Sequence, residues 1–170
     1  SSHGQIQILI NNAGITKDAP LHKMKKESWQ DVINVNLNSV FNMTSNVIND
    51  MRANAFGRII HISSVNGQKG QFGQTNYAAT KSALVGFSKS LALESASKGI
   101  TSNVISPGYI NTEMVAAIRE DILNKIIDSI PTKRLGTPEE IAEMVSYLVS
   151  DKASYINGAN FSINGGLWMD

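Results

Sequence analysis

Three side chains in one stretch of the 170-residue chain have types and spacing suited to proton chemistry: Ser64, Tyr77 and Lys81. Tyr77 and Lys81 are i and i+4, so on a helix they share one face. A free phenol titrates near ~10 and is a poor acid or base at neutral pH, but an ammonium group one turn away favours the phenolate and pulls that pKa down. A phenol tuned in this way is a usable general acid. Ser64, carried by a different element, can donate to the same substrate oxygen and stabilise charge developing there. A Tyr-x-x-x-Lys pair also arises by chance, so its weight depends on what surrounds it.

The surrounding elements place the three groups at one edge. Gly57-Arg58-Ile59-Ile60-His61-Ile62 reads as a buried strand that delivers Ser64 to its carboxyl end, where open α/β sheets bind ligands. Tyr77 opens an apolar pattern through Leu84, Val85, Leu91 and Ala92 with the period of an amphipathic helix. Upstream, Ile6 to Ile10 is a first strand ending in Asn11-Asn12-Ala13-Gly14, where Gly14 permits close backbone approach. Lys26 to about Arg52 reads as one long helix with Asn36 inside it, a poor helix former for which a functional reason is worth seeking. The Gly- and Gln-rich stretch from Asn66 to Asn76 reads as a flexible loop between two reactive groups.

Downstream, Gly99 is a helix stop, Ile100 to Ile105 a third strand, and Ser106-Pro107-Gly108 a turn at the ligand edge. Residues 111–131 carry two short helical patterns with Met114, Val115, Ile118, Ile122, Ile126 and Ile127 apolar. Thr137-Pro138-Glu139-Glu140 is a capping box that starts a helix, and Asn160 to Asn164 is a last strand closed by Gly165-Gly166. Strands alternating with helices predict one α/β domain over residues 1–170, built on a parallel sheet.

Composition excludes several classes. With 15 Lys+Arg against 14 Asp+Glu there is no general attraction to nucleic acid or an anionic membrane. No Cys is present, which removes disulfides and thiol chemistry. His3, His22 and His61 have no partners at metal-ligand spacing, so no metal is expected. No apolar run approaches the ~20 residues of a membrane span, and no signal-peptide pattern opens the chain, so a cytoplasmic protein is expected.

The ordered set of Asn-Asn-Ala-Gly at 11–14, Asn36 within Asn34-Val35-Asn36-Leu37, Ser64/Tyr77/Lys81, Ser106-Pro107-Gly108-Tyr109 and Asn164-Gly165-Gly166 resembles the short-chain dehydrogenase/reductase family over essentially the whole chain. That resemblance implies a Rossmann-like doubly wound parallel sheet in α/β/α layers and a nicotinamide cofactor, with NADPH coming from the resemblance alone. It places Asn12, Ala13, Gly14, Ile15, Tyr77, Lys81, Pro107, Gly108, Ile110 and Thr112 at the cofactor, and gives Asn36 a water that links Lys81 to solvent. Within the family, the segment from Val65 to Tyr77 is most similar to acetoacetyl-CoA reductases of polyhydroxybutyrate formation, with 3-oxoacyl-[acyl-carrier-protein] reductases close behind. By that likeness Asp18, Gln71, Phe72, Gly73, Gln74, Gly108 and Tyr109 face an acyl-CoA thioester, and residues 111–131 form a lid. Asp18 reads equally as a solvated loop charge, and Phe72 as packing under its own loop. Family members are commonly homotetramers, which implies a homo-oligomer here.

The resemblance covers roughly the last two thirds of a family member, because no Gly-x-Gly-x-x-Gly or family variant occurs and no strand precedes Ile6. The expectation is a fold lacking its first strands, with the Asn-Asn-Ala-Gly strand as an uncovered edge. A catalytically inert fragment is the corresponding alternative to an active reductase.

Overall fold

The computed structural model describes residues 4–116 and 118–169. Four short runs rich in Ile form strands β1 (Ile8–Asn11), β2 (Gly57–Ile62), β3 (Ile100–Pro107) and β4 (Asn160–Ile163). All neighbours pair in parallel, in the order β1-β2-β3-β4. Parallel neighbours need a crossover, usually helical. Here α1 (Lys26–Ile33) and α2 (Ser39–Ala53) join β1 to β2, while α3 (Val65–Lys69) and α4 (Thr75–Ser95) join β2 to β3. The last crossover holds α5 (Glu113–Ala116), α6 (Glu120–Ser129) and α7 (Pro138–Val149).

Strand alternation divides the apolar residues between two cores. On one face Leu9, Ile59 and Ile100 pack with Val47 and Met51 of α2 and Leu91 of α4. On the other, Ile60 and Ile105 pack with Leu148 of α7 and Ala153. Helices therefore cover both faces of the parallel sheet, which is the Rossmann-like layering expected. β1 is an edge strand: Leu9 is buried, whereas Ile6, Ile8 and Ile10 alternate with it and are exposed. Among the described residues no helix is long and apolar enough to cross a membrane.

A polar chain crosses the first core. Asn11 Nδ2 lies 3.4 Å from Thr44 Oγ1 and 3.1 Å from His61 Nδ1, His61 Nε2 lies 3.2 Å from Ser102 Oγ, and Ser102 Oγ lies 2.8 Å from Ser88 Oγ. These bonds link β1, β2 and β3 to α2 and α4. Burial holds the His61 imidazole neutral, with its pKa lowered to about 4.

Several boundaries differ from the sequence reading. The long helix is broken into α1 and α2 by a π-helical turn over Asn34–Asn38, with the buried Asn36 inside it. One inserted residue barely disturbs a 3.6-residue apolar period, so the turn is invisible to periodicity. The loop from Asn66 begins as helix α3, because Ser64 acts as its N-cap. β3 continues to Pro107, and β1 is shorter than the apolar run before it. The Thr137 capping box and the Gly99 stop both form. Gly99 adopts φ 69°, and a Cβ there would lie 2.3 Å from the Ala55 carbonyl oxygen, so only glycine fits.

Candidate active site

β2 ends at Ile62 on the carboxyl edge of the sheet, and the chain turns at once into α3. Ser64 Oγ accepts from the Asn66 backbone N–H at 3.1 Å, which leaves its hydroxyl proton for donation outward. That hydroxyl lies close enough to the phenol of Tyr77, in the first turn of α4, to act on its titration. Ser64 precedes α3 and Tyr77 lies in α4, so the two groups come from different elements.

The start of α4 is anchored to the loop that follows β1. Asn76 Nδ2 donates to the Lys17 carbonyl at 3.0 Å, and Gln74 Nε2 donates to the Asp18 carboxylate at 2.8 Å. Asn36 takes part from the π turn: its Oδ1 accepts from Ile15 N–H at 2.8 Å, and its Nδ2 donates to Ile15 O at 3.0 Å and Thr80 Oγ1 at 3.3 Å. The Asn36 side chain is thus committed to holding the loop. Lys81 is buried one turn beyond Tyr77 and donates from Nζ to the Ile62 carbonyl at 2.7 Å. Gly14 closes the group, since a Cβ there would stand 3.3 Å from Lys81 Nζ and 3.6 Å from Asn36 Oδ1.

The electrostatics correct one expectation. Burial lowers the Lys81 ammonium to about 8. Burial also raises the Tyr77 phenol, the Ser64 hydrogen bond pulls it back, and the Asp18 carboxylate pushes it further up. Burial outweighs any lowering of the Tyr77 pKa by Lys81 in this structure. Lys81 Nζ is turned to Ile62 and lies 5.6 Å from the centre of the phenol ring, so desolvation of the phenolate dominates.

Ser64 and Tyr77 open onto a cavity of about 450 Å³. Asp18, Gln71, Gln74, Gly108 and Tyr109 line it, and so does Phe72, which is 86 % exposed and does not pack beneath its loop. Gly73 stays outside, its carbonyl accepting from Ala19 N–H at 2.9 Å. Ile110 and Thr112, expected at the cofactor, also line this cavity. Val115, Ile118, Ile122 and Ile126, from the segment where the lid was expected, give the lining an apolar part; the side chain of Met114 lies outside the described residues. Asn12 and Ala13 follow β1, Gly14 and Ile15 face Asn36 and Lys81, and Pro107 ends β3, all outside the cavity lining. Asn66 lines the cavity and escaped the sequence reading, although its place two residues after an N-cap serine was a usable signal. No group of His, Asp or Glu among the described residues can hold a metal ion.

The profile described as enoyl-(acyl carrier protein) reductase, of the short-chain dehydrogenase/reductase family, matches residues 1–168. The chain belongs to the short-chain dehydrogenase/reductase family. Family membership makes it an oxidoreductase that uses a nicotinamide cofactor. It is 55 % identical over 169 residues to an acetoacetyl-CoA reductase of Cupriavidus necator, covering 99 % of this chain and 69 % of that protein. It is 58 % identical over 164 residues to an acetoacetyl-CoA reductase of Shinella zoogloeoides, covering 96 % and 68 %. A 3-oxoacyl-[acyl-carrier-protein] reductase of Salmonella typhimurium is 50 % identical over 166 residues, covering 98 % and 68 %.

Proposed function

We propose that this chain carries the active site of an NADPH-dependent reductase that converts acetoacetyl-CoA to (R)-3-hydroxybutyryl-CoA in a polyhydroxybutyrate-type pathway. The observation that carries the reading is the Ser64–Tyr77 pair lining one cavity together with the apolar Val115, Ile118, Ile122 and Ile126. The similarity to acetoacetyl-CoA reductases supports the substrate.

Asn12, Ala13, Gly14, Ile15, Tyr77, Lys81, Pro107, Gly108, Ile110 and Thr112 would hold the cofactor, which supplies a hydride to the C3 carbonyl when bound. The residues fit such a group: the backbone at Gly14 comes close to a buried ammonium that spends one of its three donors on Ile62. Ser64 donates to the carbonyl oxygen and stabilises the charge that grows on it. Tyr77 then gives its proton to that oxygen. A phenol pKa raised by burial keeps Tyr77 protonated at neutral pH, which is the form a reduction consumes. Lys81 stands ready to return the proton, and Asn36 contributes through its π turn, where the regular helical carbonyl pairing is interrupted. Asp18, Gln71, Phe72, Gln74, Gly108 and Tyr109 form the acyl-thioester side. The reading extends to a cytoplasmic homotetramer, supported by the exposed Phe41 and Met43 of α2 and Leu93 of α4.

Steady-state reduction of acetoacetyl-CoA and of acetoacetyl-carrier protein, each with NADPH and NADH, tests the assignment. The CoA ester with NADPH is expected to give the higher kcat/KM, by about tenfold or more. A preference for the carrier-bound ester would reassign the chain to the carrier-protein reductases, and no reduction of either would overturn the reading.

A further inference from the structure

Asp18, Gln74 and Asn66 form a hydrogen-bond chain in the cavity lining. Gln74 Nε2 donates to Asp18 Oδ2 at 2.8 Å, and Asn66 Nδ2 donates to Gln74 Oε1 at 3.0 Å. Its direction follows from the carboxylate, which only accepts. Gln74 must therefore turn its NH2 group to Asp18 and its carbonyl to Asn66, and Asn66 must turn its NH2 group to Gln74. Asn66 Oδ1 is left buried and without a partner. An unpaired buried acceptor is costly, and here it is the consequence of the charge at the far end of the chain.

The chain joins the two helices that matter. Asn66 is the second residue of α3, whose N-cap is Ser64, and its own N–H holds Ser64 Oγ. Gln74 is the N-cap of α4, whose first turn carries Tyr77. The Asn66–Gln74 bond thus ties together the starts of α3 and α4, and Asp18 ties both to the loop after β1. We propose that Asp18–Gln74–Asn66 is a strut that sets the separation of the Ser64 and Tyr77 hydroxyls, with Asn66 a positioning residue that acts through Ser64. The proposal rests on Ser64 and Tyr77 being the reacting pair.

Reversing the strut tests it. Asn66→Asp sets a carboxylate against Gln74 Oε1 and breaks the chain. In Asp18→Asn/Asn66→Asp every bond re-forms in the opposite sense: the amide now at position 18 donates to Gln74 Oε1, and Gln74 Nε2 donates to the carboxylate now at position 66. With acetoacetyl-CoA, Asn66→Asp is expected to lose about tenfold or more in kcat with KM nearly unchanged, and the double variant to regain most of that kcat while its KM rises, because Asp18 also faces the thioester. Full activity in Asn66→Asp, or a double variant no better than the single one, would overturn the strut. A second readout needs no turnover: the Tyr77 phenol titration, followed by NMR of ring-labelled tyrosine and assigned with Tyr77→Phe. Asn66→Leu is expected to move its midpoint upward as the Ser64 bond weakens. An unmoved midpoint overturns the strut, whereas a moved midpoint in a chain that does not reduce acetoacetyl-CoA upholds it and overturns the functional reading instead.

Discussion

Burial acts on Tyr77 and Lys81 in opposite senses, raising the phenol and lowering the ammonium to about 8, and in each case it favours the neutral form. For Lys81 this is a cost to folding. The unfolded chain holds that proton up to the ordinary value of 10.5 and the folded chain only to about 8, so stability is lost as pH falls through that window and the cost is complete below it. The size is about 3 kcal/mol. Lys81→Met, with similar length and no charge, is therefore expected to stabilise the chain by about 2 kcal/mol at pH 7 while removing activity, as functional sites often trade stability for chemistry. Urea denaturation at pH 7 checks it; a variant less stable than the parent would show that the Lys81–Ile62 bond outweighs desolvation. The residue types of this pair were legible in the sequence, but its electrostatics were not. Spacing shows that Lys81 can reach the phenol, and only the fold shows that Nζ turns to Ile62 instead.

At the scale of elements, the site depends on how two helices begin. Ser64 caps α3, Gln74 stands at the N-cap position of α4 and is pinned to the loop after β1, and Asn66 of α3 is bonded to Gln74. The strands and the long helices were legible because Ile-rich runs and a 3.6-residue apolar period report burial directly. The π turn and α3 were not, since each depends on a single side chain: Asn36 reaching across to Ile15, and Ser64 folding back on Asn66. Gly14 was read as a position of close approach, and the Lys81 ammonium is what approaches. β1 carries its own prediction. Ile8 is 45 % exposed on the outermost strand of the described sheet, and an exposed apolar side chain on such a strand favours association with another apolar surface. Ile8→Lys is expected to reduce self-association measured by light scattering at a fixed concentration without shifting the urea midpoint by more than about 0.5 kcal/mol. Unchanged scattering would mean that this edge does not drive association.

For the molecule as a whole, the polar chain through His61 couples three strands and two helices to pH. The folded chain keeps His61 neutral down to about 4, whereas the unfolded chain takes up a proton near 6.5, so stability present above pH 6.5 is lost as pH falls toward 4. The loss amounts to about 3 kcal/mol. His61→Asn, which retains hydrogen-bonding groups but cannot titrate, is expected to flatten that decline in urea midpoints measured between pH 7 and pH 4; an equal decline would place the titration elsewhere. The sequence marked His61 only as a strand residue without chemistry, because its partners Asn11 and Ser102 are distant in the chain and meet it only when the sheet forms. The same assembly brings Ser64 and Tyr77 together, and their joint action on a 3-oxoacyl thioester is tested most directly by Tyr77→Phe. Turnover of acetoacetyl-CoA with NADPH is expected to fall by about 10³-fold, with affinity for acetoacetyl-CoA within about threefold of the parent. A Tyr77→Phe chain that reduces the thioester nearly as fast as the parent would contradict the assignment of Tyr77 as the proton donor.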